Sequence, residues 1–149
     1  ILVVLVVTVI LTFVANNTVF GRQIYAIGGN KEAARLSGIA IKKRLLMLFV
    51  LMGTLTSIAG IVFTARLGAA TAQAGFMLEL DAIAAAIIGG TSFSGGIGTI
   101  PGALVGALVM ASLDNGMSLL NLDVTYQQII KGLVLLIAVF VDTIFKSKK

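Results

Sequence analysis

The chain has no cysteine, no histidine and no tryptophan, and only one proline among its 149 residues. Without cysteine it has no thiol nucleophile and no disulfide, and without histidine the usual zinc ligands and the commonest acid–base catalyst are missing. Its six acidic residues are scattered and form no dense carboxylate cluster for a hard cation. The composition therefore predicts a protein that is not an enzyme and that uses no cofactor.

Charged residues are also scarce, at 11% of the chain, whereas hydrophobic residues make up 58%. Long apolar stretches with so few charges are typical of helical membrane proteins. A bilayer requires backbone polar groups to be satisfied within each segment, which favours helices even where β-branched residues are common. The basic residues flank apolar runs and are not interleaved with aromatics. We therefore expect a lipid membrane, and no nucleic acid, as a partner.

The apolar runs predict an all-α, polytopic membrane protein with about three full spans and one broken or paired short-helix element. The spans are residues 1–15, 45–65 and 129–144. The first run is shorter than a bilayer crossing of about 20 residues, so we expect it to continue before Ile1 in a longer protein. Residues 114–128 are predicted as a polar connection with a turn at Asn115-Gly116.

Residues 76–113 form the interrupted element. Five glycines lie between residues 89 and 98, the only proline follows, and residues 82–113 are too few for two full crossings. We expect two short spans or a re-entrant pair of helices joined by a glycine-rich turn. Such backbone is tolerated at membrane depth only where it is buried in protein or lines a water-filled path.

The glycine-rich segment suggests two further interpretations. GGTSFSGGIG lacks the ending of a Walker A motif and follows no strand, so nucleotide binding is not expected there. Gly98, Gly102 and Gly106 repeat every four residues and predict a ridge for close helix packing. The candidates for the lining of a solute path are Glu79, Asp81, Gly89, Gly90 and Ser94.

Ionisable residues near the spans have structural interpretations as well. Glu79 and Asp81 are compatible with positions at a membrane interface, although ionisable groups at membrane depth are usually functional. Lys131 is expected to extend its ammonium group towards the outer interface, and a role in the solute path is the alternative.

Residues 16–44 form a basic loop between the first two spans. Six of its residues are basic and one is acidic, and the resulting charge of +5 equals that of the whole chain. Basic residues beside membrane spans mark a cytoplasmic loop, and the lysines at the carboxy terminus place that end on the same side.

A short helix from Lys31 to Ser37 is predicted within this loop. Asn30 is a suitable N-cap, and Gly28-Gly29 predicts a turn before it. An acidic residue in the first turn and a basic residue near the end suit the helix dipole, and a glycine follows. Helices this short are marginal in water, so this one needs a surface to rest on.

Three stretches resemble the permease subunits of bacterial ABC importers for monosaccharides such as ribose, xylose and galactose. The resemblance covers nearly the whole chain, as the carboxy-terminal half of a single transmembrane permease domain. The stretches are GRQIYAIGGNKEAARLSGI (residues 21–39), AAAIIGGTSFSGGIGTIPGALVGALVMASLDNGMSLL (residues 84–120) and YQQIIKGLVLLIAVFVD (residues 126–142).

The resemblance implies a permease in the bacterial inner membrane that provides the path for xylose or a related sugar by alternating access. It implies three protein partners: a cytoplasmic ABC ATPase subunit that hydrolyses ATP, a periplasmic sugar-binding protein, and a second permease copy in a homodimer. The cytoplasmic loop of this family couples to the ATPase. The residues here that match its motif are Gly29, Asn30, Glu32, Ala33, Ala34, Arg35 and Gly38.

Two other functions are compatible with the residues. A secondary transporter driven by an ion gradient also uses broken helices, and Glu79 or Asp81 could carry its proton or sodium ion. A structural membrane-assembly subunit would use the glycine ridge only for association. The residues by themselves do not identify the sugar.

Overall fold

The computed structural model describes residues 2–69 and 75–147, with side chains described as far as residue 144. Within these ranges the chain forms α-helices and no strands, which confirms the predicted all-α class. Two of the lysines used to orient the carboxy terminus, Lys148 and Lys149, lie outside the described residues. The helices are α1 (Leu2–Asn17), α2 (Val19–Gly29), α3 (Lys31–Leu36), α4 (Ile41–Leu67), α5 (Leu78–Ile88), α6 (Ile100–Leu119) and α7 (Val124–Ser147).

Three of the described helices are long and apolar enough to cross a membrane: α4, α6 and the Val124–Ile144 part of α7. The 27 residues of α4 and the 20 of α6 correspond to lengths of about 40 Å and about 30 Å, and a hydrocarbon core is about 30 Å thick. Helices α1 and α2 meet at a bend of 73° and together form a further broken element. The prediction of a polytopic protein with about three full spans is confirmed, but the spans are not all the predicted ones. Residues 1–15 fall in α1, which is not among the three, whereas α6 is long enough to cross although residues 76–113 were expected to contain only short helices.

The interrupted stretch folds as two helices of unequal length that pack against each other. Helix α5 has 11 residues, which gives a length of about 16 Å, roughly half of a hydrocarbon core. We call residues 89–99, which join α5 to α6, the glycine loop. Gly90, Gly95 and Gly96 in this loop have φ angles of 86°, 89° and 77°, a region that is costly for residues with a Cβ. Glycine therefore permits the abrupt turn after the half-length helix.

The structure corrects two sequence-based predictions of turns. Helix α6 continues through Asn115 and Gly116, so the connection to α7 is only residues 120–123. Gly28 and Gly29 form the end of helix α2 instead of a turn. Helical backbone satisfies its own polar groups, and in a membrane protein this favours continuing a helix through polar residues and glycine.

A small core joins α5, α6 and α7. Ala84, Ala85 and Met110 are buried, and Val134 and Leu135 of α7 are among the partly buried residues that pack against them. By contrast, the large apolar side chains of α1 and α4 are mostly exposed. Apolar side chains in these positions are suited to contact with lipid or with further helices.

Candidate functional site

The short helix α3 is present where the sequence predicts it. The Asn30 side chain accepts a hydrogen bond from the backbone N–H of Ala33 at 3.0 Å, which caps the amino terminus of the helix. Gly38 has a φ of 80°, and its backbone N–H donates to the carbonyl oxygen of Arg35 at 3.0 Å. The cap and the glycine therefore define both ends of α3.

Most of the surface of α3 is exposed. Only Ala34 is buried, whereas Glu32 and Arg35 are 73% and 70% exposed and form an ion pair at 3.6 Å. An ion pair this exposed adds little stability. Leu36 is 83% exposed, the highest value among the exposed large hydrophobic residues that the structure describes. The helix therefore presents the Glu32–Arg35 ion pair, a further cation at Lys31 and one leucine that the fold itself does not cover.

Helix α2 connects α3 to the glycine loop. A Cβ placed on Gly28 would lie 2.6 Å from the backbone nitrogen of Gly96, and a Cβ on Gly96 would lie 2.7 Å from the Cα of Gly29. The Tyr25 hydroxyl donates a hydrogen bond to the carbonyl oxygen of Gly98 at 2.9 Å. Helix α2 therefore touches the glycine loop backbone to backbone and is also the helix that adjoins α3.

The carboxy-terminal part of α7 also contacts the glycine loop. The Asp142 carboxylate accepts hydrogen bonds from the backbone N–H of Phe93 at 3.0 Å and from the Ser92 hydroxyl at 3.3 Å. Ser92 is buried, so these contacts are partly shielded from solvent. The glycine loop is thus attached to α2 and to α7, two elements that are far apart in sequence.

The glycines of the predicted ridge lie in two different places. Gly102 and Gly106 belong to α6 and face α5, where a Cβ on Gly106 would overlap the carbonyl oxygen of Ala85. A Cβ on Gly102 would overlap the carbonyl oxygen of Gly89. Gly98 precedes the helix and lies in the glycine loop. The helical part of the ridge is therefore Gly102 and Gly106, of which Gly106 packs on α5 and Gly102 on Gly89, the first residue of the glycine loop.

Three ionisable side chains meet at the opposite end of the α5–α6–α7 bundle. The Lys131 ammonium lies 2.8 Å from the Asp81 carboxylate and 2.9 Å from the Asp114 carboxylate. We call these residues the ion triad. The side chains of Lys131 and Asp81 are only 23% and 21% exposed. Lys131 therefore bridges three helices, in contrast to the sequence-based expectation that it extends to the interface.

The five candidates for path lining do not gather in one place. Glu79 is exposed and Asp81 belongs to the ion triad, and both lie in the first turn of α5. Gly89, Gly90 and Ser94 lie at the other end of α5, in the glycine loop, where Ser94 is exposed. No group of three or more metal-ligating side chains occurs in the part of the chain that the structure describes.

The helices and contacts define an integral membrane protein in which a short exposed helix is linked to a broken membrane element. A family model described as the permease component of branched-chain amino acid transport systems matches residues 1–139. The chain belongs to this family of transport permeases.

Several curated relatives of the chain are permeases whose names include a sugar. The xylose transport system permease protein of Escherichia coli K12 is 52% identical over 136 residues, 91% of this chain and 35% of that protein. The corresponding xylose protein of Haemophilus influenzae is 50% identical over 148 residues, 99% of this chain and 40% of that protein. The ribose import permease protein of Bacillus subtilis is 48% identical over 134 residues, 90% of this chain and 42% of that protein.

The chain spans about two fifths of the length of these relatives. No solved structure matches it. The relatives are transport permeases and not enzymes, and the resemblance to permeases of monosaccharide importers is confirmed.

Proposed function

We propose that the chain is part of the membrane-spanning permease of an ATP-driven monosaccharide importer, in which α3 couples a cytoplasmic ATPase to the membrane helices. The observation that carries this proposal is the continuous connection from exposed α3, through α2, to the glycine loop. The likeness to xylose and ribose permeases supports a pentose or a related monosaccharide as the substrate.

The surface of α3 suits a protein partner. Glu32 and Arg35 project opposite charges, and Leu36 adds an apolar contact whose burial would favour binding. A partner that pushes on α3 moves α2, and the contacts of Gly28 and Tyr25 transmit this motion to the glycine loop. Helix shifts of this kind are an established means of switching between two conformations, and alternating access needs two such conformations.

The positions of the basic residues support the orientation. Residues 16–44 carry the whole net charge of +5, so the positive-inside rule places α3 in the cytoplasm. With this orientation α7 ends in the cytoplasm and the ion triad lies near the periplasmic side. The importer would be completed by an ABC ATPase inside, a sugar-binding protein outside and a second permease copy, all in the bacterial inner membrane.

The proposal is tested by substituting the exposed charges of α3. We expect Glu32→Ala combined with Arg35→Ala to lower ATP-dependent sugar uptake by about tenfold, because each exposed charge can contribute to a protein interface. The fold should be unaffected, since their mutual ion pair is exposed. A matched control is Arg66→Ala, which removes a cation in the last turn at the other end of α4.

The measurement is uptake of D-xylose and D-ribose into liposomes that contain the complete transporter, together with copurification of the ATPase subunit. Unchanged uptake and copurification in the double variant would show that α3 is not the coupling helix. Sugar uptake driven by a proton gradient without any ATPase would instead identify a secondary transporter.

A further inference from the structure

We propose that the ion triad and the cavity beside it form a binding site for a neutral monosaccharide on the transport path. This inference rests on the proposed function and adds the place and chemistry of sugar contact. The site lies at the end of the bundle opposite to the glycine loop, about 16 Å along α7 from Asp142.

A cavity of about 370 Å³ opens between the beginnings of α5 and α7. Small-molecule sites usually have volumes of about 300–1,000 Å³, with a few polar groups among apolar walls. The polar groups here come from Asp81, Gln128, Lys131 and Gln127, whose amide nitrogen already donates a hydrogen bond to the carbonyl oxygen of Leu122. Phe76 supplies an aromatic ring. The other lining residues are Met77, Leu80, Ala84, Val124, Gly132 and Leu135.

The ion triad retains hydrogen-bonding capacity that a sugar can use. A lysine ammonium has three N–H donors: Lys131 donates one hydrogen bond to Asp81 and forms an ion pair with Asp114, so at least one donor remains. A carboxylate offers about four lone-pair positions, so one ion pair leaves acceptors on Asp81 for sugar hydroxyls. The Gln128 amide supplies both a donor and an acceptor. Hydroxyl groups that donate and accept match this set of partners.

Phe76 adds an aromatic ring to the polar groups of the proposed sugar site. Phe76 is 71% exposed and lies at the cavity, where its face can cover the C–H face of a pyranose or furanose ring. The sugar would thus contact an apolar ring on one side and polar side chains on the other. No single stretch of sequence contains this combination, because Phe76 and Asp81 belong to the α5 region and Gln128 and Lys131 to α7.

The charge of the ion triad selects the class of ligand. Two carboxylates and one ammonium give a net charge of −1 at a site that is only partly exposed. An anionic ligand would meet this charge in an environment where repulsion is poorly screened. We therefore expect binding of neutral sugars and exclusion of sugar phosphates.

A single cysteine at position 132 provides a direct measurement. The chain contains no cysteine, and a Cβ on Gly132 would meet nothing within 4 Å, so Gly132→Cys places a unique thiol at the cavity wall. The rate of maleimide alkylation is measured in the complete transporter, made cysteine-free elsewhere, with increasing D-xylose or D-ribose. We expect either sugar to slow alkylation and ribose 5-phosphate to have no effect.

Three variants in the same background identify the groups that contact the sugar. Asp81→Asn should raise the half-protecting sugar concentration by about tenfold, the usual effect of losing a hydrogen bond to a charged group. Gln128→Ala should also raise it and leaves the ion triad intact, so it tests the site even if Asp81→Asn impairs folding. The matched control is Asp123→Asn, which should change nothing because Asn can still accept the bond that Asp123 accepts from the Thr125 backbone.

The result that overturns the inference is an alkylation rate that neither sugar changes, or protection that is the same in Asp81→Asn, Gln128→Ala and the control. ATP-driven sugar uptake is measured in parallel in the transporter that lacks Gly132→Cys. This second measurement shows whether the binding site or the proposed function is refuted. Uptake without protection refutes the site only. Protection without ATP-dependent uptake supports the site and refutes the ATP-driven importer.

Discussion

The hydroxyl of Tyr25 donates a hydrogen bond to the carbonyl oxygen of Gly98, 2.9 Å away and 73 residues further along the chain. This bond joins the helix that precedes α3 to the loop that interrupts the membrane element. Together with the contact between Gly28 and Gly96, it attaches a surface segment to backbone near the membrane helices. Substitutions at these contacts therefore test how firmly α2 is attached to the glycine loop.

Gly28→Ala should destabilise the protein, because its new Cβ would lie 2.6 Å from the backbone nitrogen of Gly96. Overpacking of this kind costs about 1–3 kcal/mol. The neighbouring change Gly29→Ala is the control, since a Cβ there would meet nothing within 4 Å. Thermal unfolding in detergent, followed by circular dichroism, should show a lower midpoint for Gly28→Ala than for Gly29→Ala. Equal midpoints would contradict the backbone contact.

Gly106→Ala should weaken the packing of α6 on α5, because the added Cβ would overlap the carbonyl oxygen of Ala85. We expect a loss of at least about 1–3 kcal/mol, as for other overpacked sites. Gly116 lies in the same helix with open space beside it, and Gly116→Ala should stabilise the helix by up to about 1 kcal/mol. Thermal unfolding of the two variants should therefore shift in opposite directions, and shifts in the same direction would argue against the packing role of Gly106.

Asp142→Ala should release the glycine loop from α7, because the N–H of Phe93 loses its acceptor. Loss of a hydrogen bond to a charged group is worth about 1.5–3 kcal/mol, so amide exchange at Phe93 should accelerate by about tenfold or more. Asp142→Asn retains one acceptor oxygen and should give a smaller increase. Hydrogen exchange of a peptide covering residues 89–99, followed by mass spectrometry, measures the exchange rate in both variants. An unchanged rate in Asp142→Ala would rule out the attachment of the glycine loop to α7.

Leu36→Ser should weaken the binding of the proposed ATPase subunit by about tenfold, because burying a leucine side chain contributes about 1.5–3 kcal/mol. Leu36 is 83% exposed, so the variant should fold normally. Leu119→Ser is a matched control, since Leu119 is 76% exposed and lies at the other end of the bundle. Copurification and a titrated pull-down provide the affinities. Equal losses in both variants would indicate a general effect of surface polarity and not an interface at α3.

Local signals in the sequence predicted α3 well. Asn30 and Gly38 lie immediately beside this helix, so its beginning and end are encoded within a few residues. Two of the three spans, α4 and α7, were likewise predictable from long apolar runs, because a bilayer sets their minimum length. Helix α6 was not, because glycines and the proline at its start suggested a shorter helix. The predicted turn at Asn115-Gly116 was wrong. Turn preferences derived from proteins in water are overridden in a membrane, where the backbone N–H and C=O groups must form their hydrogen bonds within a helix.

The contacts between helices could not be predicted from the sequence. Lys131 and Asp81 lie 50 residues apart, and their pairing depends on how α5 and α7 pack. One signal could have indicated it: in the predicted topology, the lysine and both acids of the ion triad fall at the same end of neighbouring helices. Opposite charges near a membrane usually pair. The exposed Leu36 had no such signal, because its exposure follows from the burial of Ala34 on the other face of α3.

The contact between Gly28 and Gly96 has a consequence for how this protein can change by mutation. Since neither residue has a side chain, no rotamer can rearrange to accommodate an added atom, and Gly96 also has a positive φ that disfavours other residues. Nearly every substitution at either position must therefore be harmful. Compensating mutations should arise elsewhere, in residues that set the distance between α2 and the glycine loop, so a suppressor screen would map the elements that hold these two segments together.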